Sequence, residues 1–126
     1  MRPYTFRLFV LLMLMAIHSV SSFAASSPHA NIAARAEQGD AEAQYLLGRM
    51  YQGGQGVPQD NGEAAKLYRK SAEQGYAPAE RSLGSMYQGA YGALPKDDLE
   101  ARRWFSKAAE QGDSLAKFAL FLEDIP

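Results

Sequence analysis

The sequence predicts an all-α fold, a short right-handed α/α solenoid of about six helices, on three observations. The tetrapeptide Ala-Glu-Gln-Gly occurs three times, at residues 36–39, 72–75 and 109–112, with spacings of 36 and 37 residues. A fixed period of that size marks a stacked repeat. Aligning residues 41–76 with 77–113, allowing one extra residue near Leu94, gives 18 identities in 36 positions, where unrelated segments of ordinary composition share about two or three. Within each unit the apolar residues recur at i, i+4, i+7 and i+8, the spacing of one helix face.

The chain opens on a different pattern. Arg2 and Arg7 precede an unbroken apolar run from Leu8 to Ile17, after which residues 18–22 turn polar and small. That order of charged, apolar and cleavage regions predicts a signal peptide over residues 1–24. Ser22-Phe23-Ala24 sets small side chains at the two positions a signal peptidase must accommodate, so cleavage is expected after Ala24. A membrane anchor fits less well, because ten residues make about 15 Å of helix against a hydrocarbon core of about 30 Å. Residues 25–30 then read as a flexible leader and residues 31–126 as the repeat domain. The mature protein is expected to be exported, to a periplasm or as a secreted protein, with no membrane attachment once the signal is removed.

Each full repeat reads as two helices. The first begins after Asp40 or Tyr76 and aligns Ala43, Leu47, Met50 and Tyr51, matched by Ala79, Leu83, Met86 and Tyr87. Gly48 and Gly84 lie mid-helix, where glycine costs about 1 kcal/mol relative to alanine, and they imply close approach of a neighbouring helix. Residues 53–58 end the first helix, because glycine takes left-handed conformations and proline cannot continue the ladder. Residues 89–95 do the same, one residue longer. Asp60 and Asp97 follow, with Glu63 and Glu100 three residues on, an acidic capping box that starts the second helix. That helix carries Ala64, Leu67, Tyr68, Ser71 and Ala72, or Ala101, Trp104, Phe105, Ala108 and Ala109, and stops at Gly75 or Gly112. Residues 31–39 match the end of a second helix. Residues 114–124 occupy the place of a first helix, with Leu115, Phe118, Ala119 and Leu122 as its expected inward stripe.

Composition excludes several classes. With 126 residues, 47% hydrophobic and 21% charged, one small domain is the ceiling. Without Arg2 and Arg7 the mature chain holds 11 basic and 14 acidic residues, and no basic stripe suggests a nucleic-acid partner. No cysteine is present, so packing alone must hold the fold in a compartment that permits disulfides.

Residues 41–51, Ala-Glu-Ala-Gln-Tyr-Leu-Leu-Gly-Arg-Met-Tyr, followed by Gly53, Gly56, Val57, Asp60, Ala64, Tyr68 and Lys-Ser-Ala-Glu-Gln-Gly at 70–75, resemble a Sel-one-like repeat (SLR). The resemblance extends over nearly all of residues 31–122, and the long Gly-rich loop with the terminal Ala-Glu-Gln-Gly fits it better than a tetratricopeptide repeat, whose period is about 34. It implies a helical solenoid serving as a protein-binding adaptor or regulator in the bacterial envelope. The alternative it carries is an immunity protein that binds and blocks a toxin. The chain departs from the pattern at Phe121, which stands where Gly48 and Gly84 stand, and at Leu115, in the place of Glu42.

Residues that could carry chemistry are few. His18 falls in the signal, leaving His29, so neither Ser-His catalysis nor a zinc site has its parts. The run from Ser114 to Lys117 matches Ser-x-x-Lys, but the Ser-Asp-Asn and Lys-Thr-Gly elements that accompany it in penicillin-recognising enzymes do not occur. Asp97, Asp98 and Glu100, like Glu123 and Asp124, sit at helix ends, where capping accounts for them. No catalytic residue, metal or cofactor is expected. In helical-pair solenoids the first helices line the inner face, and off the core stripe this places Gln44, Arg49, Gln52, Arg81, Ser85 and Gln88, with Arg49 and Arg81 favoured because arginine is enriched in interface hot spots. Phe121 extends the apolar surface of the last helix and marks a second candidate contact, for a partner protein or for a second copy meeting end to end in a homodimer. The competing expectation is that residues 123–126 fold back over it.

Overall fold

The structure is a computed structural model that describes residues 27–126. The expected signal peptide and the first two leader residues lie outside that span. Among the described residues six α-helices follow one another: α1 (Pro28–Glu37), α2 (Ala41–Gly53), α3 (Asn61–Glu73), α4 (Ala77–Tyr87), α5 (Asp98–Glu110) and α6 (Ser114–Glu123), with a 3-10 turn at Ala90–Gly92 between α4 and α5. Helix α1 begins three residues before the expected start. Proline is tolerated in a first turn, where its missing N–H has no partner to lose, and the Ser27 hydroxyl accepts from the Ala30 amide at 3.1 Å. None of these helices is long and apolar enough to cross a membrane.

The strongest contacts join α2 to α3, α3 to α4, α4 to α5 and α5 to α6. Packing between sequence neighbours is the pattern of a solenoid, in which each unit buries the face its neighbour leaves open. The apolar stripes make a chain of small clusters. Ala43 and Leu47 of α2 meet Leu67 of α3, Ala64 and Tyr68 meet Met86 of α4, Leu83 meets Trp104 of α5, and Phe105 and Ala108 meet Ala116 of α6.

The two mid-helix glycines let these helices close on one another. A Cβ at Gly48 would stand 2.8 Å from Tyr68 Cε1, and one at Gly84 would stand 3.0 Å from Phe105 Cδ1. Each second helix thus lays its ring on the bare backbone of the first.

Helix ends follow from local chemistry. Asp40, Asp60, Asp97 and Asp113 each accept an amide hydrogen bond at a helix start, from Ala43, Glu63, Glu100 and Ala116. Only half of each predicted capping box forms. The amides of Asp60 and Asp97 are already donated across the loop to Tyr51 O (2.9 Å) and Tyr87 O (2.8 Å), so Glu63 and Glu100 turn to Lys66 and Arg103 instead. The same cross-loop bond closes both repeats although the second loop is a residue longer. The longer loop holds Tyr91 at φ 66°. Gly39, Gly75 and Gly112 stop α1, α3 and α5 with φ of 93°, 82° and 97°, the left-handed ending glycine adopts without a Cβ penalty.

The last helix corrects an expectation. Ala116, Ala119 and Leu120 face α5, whereas Leu115, Phe118 and Leu122, the expected inward stripe, are exposed. Ala116 and Leu120 occupy the positions of Ala43 and Leu47, so the repeat register overrides the larger side chains one step away.

Candidate interaction surface

The sequence singled out seven residues for contact with a partner, and the structure sorts them into three groups. Arg49, Gln52, Arg81 and Ser85 come together. They line one pocket of about 380 Å³ between α2 and α4, joined by Tyr45, Ser82, Tyr68 of α3 and Tyr91 of the α4–α5 loop. Arg49 sits on the open side of α2 and makes no ion pair or hydrogen bond with the described residues. Arg81 is half-buried, its Nε donating to Asp113 Oδ2 at 3.1 Å. Asp113 Oδ1 caps α6 at the same time, so the pair fixes the guanidinium of Arg81 against the start of the last helix.

The first repeat has a different solution at the equivalent positions. Tyr45 and Tyr76 stand where Arg81 and Asp113 stand, and their rings lie 5.4 Å apart. Tyr45 also lies 5.7 Å from the Tyr68 ring. The Tyr68 hydroxyl donates to Gln52 Oε1 at 2.7 Å, and burial pushes its phenol above the usual range, so it remains a proton donor. One pocket therefore takes Tyr45, Tyr68 and Arg49 from the first repeat and Arg81 and Tyr91 from the second.

Gln44 is a correction. It is buried, donating from Nε2 to Ala36 O at 3.2 Å and accepting from Gln74 Nε2 at 2.8 Å. Its off-stripe position suggested solvent, but the close fit of α1 and α3 around α2 leaves the amide as an internal strut. The equivalent residue, Glu80, is buried likewise and accepts from Gln111 Nε2 at 2.8 Å. Burial raises its carboxyl above the ordinary value.

Gln88 and Phe121 lie away from the pocket. Gln88 donates from Nε2 to Glu123 Oε1 at 2.7 Å, tying α4 to α6. Phe121 is 62% exposed, with Phe118 and Leu122 beside it. Residues 123–126 do not cover it, since Glu123 and Asp124 are held by Arg102. Because Phe121 occupies the glycine position of α2 and α4, the ring-on-glycine approach that seats α3 and α5 has no counterpart on α6.

Tyr45, Tyr68, Ser82 and Tyr91 were missed as lining residues. Tyr68 belongs to the core stripe and is buried as that stripe requires, yet it also lines the pocket. Tyr91 stands in the glycine-rich loop of the second repeat, where the first repeat has Gln55.

Comparison with known proteins agrees with this architecture. The family model described as Sel1 repeat matches twice, over residues 41–76 and 77–113. A Sel1 repeat protein from Oxalobacter formigenes is similar in structure, with 39% identity and a TM-score of 0.71 over 74% of this chain and 27% of that one. A protective antigen present in uropathogenic Escherichia coli strains, displaying an SLR fold, is similar at 31% identity with a TM-score of 0.70, over 78% of this chain and 22% of that one. The chain thus spans about a quarter of the length of these proteins. No curated protein matches the sequence. Two adjoining matches that together take in more than half the residues, on a stack of paired helices whose caps, glycines and loop closures repeat with them, place this chain in the Sel1 repeat family, a family of protein-interaction scaffolds.

Proposed function

We propose that this chain is a non-catalytic adaptor or regulator of the bacterial envelope that binds another protein through the pocket between α2 and α4. The observation that carries the reading is the convergence of Arg49 and Arg81, from different repeats, on one pocket with tyrosine walls. Arginine and tyrosine are the residues on which binding energy concentrates at protein interfaces, and a repeat scaffold offers such a surface without chemistry of its own. The arginine-led, apolar start of the sequence supports export.

The test is affinity capture from periplasmic extract, wild type against Arg49→Glu. Arg81 is a poorer handle, since reversing its charge would set two carboxylates face to face at Asp113 and loosen α6. A stoichiometric partner lost with Arg49→Glu supports the reading. Equal capture by both proteins removes the pocket from it.

A further inference from the structure

We infer that the pocket between α2 and α4 receives a single carboxylate of the bound protein, held between the guanidinium of Arg49 and the terminal nitrogens of Arg81. The inference deepens the protein-binding reading and rests on it.

The available donors point to an anion. Among the described residues Arg49 has no hydrogen-bond or ion-pair partner, and Arg81 uses only Nε. The hydroxyls of Tyr45 and Tyr91 make no hydrogen bond with the described residues. The other hydroxyl donors are already committed, Tyr68 to Gln52, Ser82 to Pro78 O at 2.9 Å and Ser85 to Arg81 O at 3.2 Å, which leaves the Gln52 amide as a further neutral donor. A planar guanidinium with free N–H groups matches the two oxygens of a carboxylate, and anchoring Arg81 through Asp113 orders its fork before the ligand arrives.

Charge selects among anions. Among the described residues no carboxylate lines the pocket, and Asp113 matches the charge of Arg81, which leaves the single positive charge of Arg49. A monoanion balances that charge, whereas a phosphate dianion would add uncompensated negative charge near Asp113.

The backbone of Tyr91 is a second, independent pointer. Its φ of 66° and ψ of 1° are uncommon for a bulky residue, and Asn61 Nδ2 holds its carbonyl at 3.2 Å. Residues kept in such conformations cluster where ligands are clamped, and this one brings an unpaired phenol to the pocket.

The carboxylate could be an Asp or Glu side chain of the partner or its C-terminus, and small probes separate the two. The full chain is titrated with N-acetylglutamate α-amide (side-chain carboxylate), N-acetylglycine (terminal carboxylate), uncharged N-acetylglutamine α-amide and inorganic phosphate, following the arginine Nε–H resonances by NMR. At least one carboxylate is expected to shift Arg49 and Arg81 saturably, the glutamine amide to be silent, and Arg49→Gln to weaken binding by about tenfold or more, as loss of charge-assisted hydrogen bonds requires. The tighter carboxylate identifies the source. Phosphate binding more tightly than both, or a carboxylate response that survives Arg49→Gln, overturns the inference. Should Arg49→Glu abolish partner capture while no carboxylate binds, the carboxylate assignment alone falls. Should carboxylates bind while capture is unchanged, the protein-binding reading is the one that fails.

Discussion

Replacing Gly48 with alanine sets two opposing effects against each other, and the structure decides the sign. In an exposed helix the change would stabilise by about 1 kcal/mol. Here the new methyl carbon would stand 2.8 Å from Tyr68 Cε1 and 2.9 Å from Cδ1, against a carbon–carbon optimum of about 3.5–4.0 Å. Tyr68 has little freedom to retreat: it is 1% exposed, faces Tyr45 and is tethered to Gln52 by its hydroxyl. Overpacking of this kind costs about 1–3 kcal/mol, and a ring that does move weakens a hydrogen bond worth about 1 kcal/mol. Gly48→Ala is therefore expected to destabilise by roughly 1–2 kcal/mol, a fall of roughly 5–15 °C in Tm for a domain of this size. Thermal unfolding followed by far-UV circular dichroism measures it. A double-mutant cycle with Tyr68→Leu isolates the cause, because without the ring the alanine should become neutral or stabilising. An unchanged or raised Tm for Gly48→Ala in the wild-type background would refute the idea that glycine is present for the ring.

Three further outcomes are expected. Glu80→Gln should stabilise by about 1 kcal/mol at neutral pH, since the neutral amide keeps the bond from Gln111 and can donate to Ala72 O as Gln44 donates to Ala36 O. Burial raises the folded-state pKa of Glu80 above its unfolded value, so the wild type loses stability as pH rises from the ordinary carboxylate range through the folded pKa, and the advantage of the variant should grow over that window. A gap in Tm that stays constant with pH would contradict this account. Phe121→Glu should leave stability within about 0.5 kcal/mol, because the ring is largely in solvent. Sedimentation velocity on that variant then reports association through the α6 face, and identical profiles for variant and wild type would exclude it. Asp97→Ala should cost about 1 kcal/mol through the lost cap on α5, and a chemical-denaturation midpoint unchanged from wild type would show that the cross-loop bond to Tyr87 O starts the helix unaided.

The sequence by itself determined the elements, because each was written in local chemistry. The 36- and 37-residue spacing marked the repeats, Asp60 and Asp97 marked helix starts, and Gly75 and Gly112 marked helix stops. Gly48 and Gly84 announced close helix contacts without naming the rings that fill them. What only the tertiary structure decided were matters of neighbourhood. Gln44 read as a surface residue because helical periodicity places a side chain on a face but does not say what covers that face, and α1 and α3 cover it. The inward stripe of α6 went to Ala116 and Leu120 because α5 presents a surface shaped for the repeat register, which outweighs the greater hydrophobicity of Leu115 and Phe118. Arg49 and Arg81 were legible as candidates one at a time. That they share a pocket with Tyr45 and Tyr91 depends on the offset between neighbouring repeats and on a strained loop, and no spacing along the chain encodes the distance between two helices that are not adjacent in it.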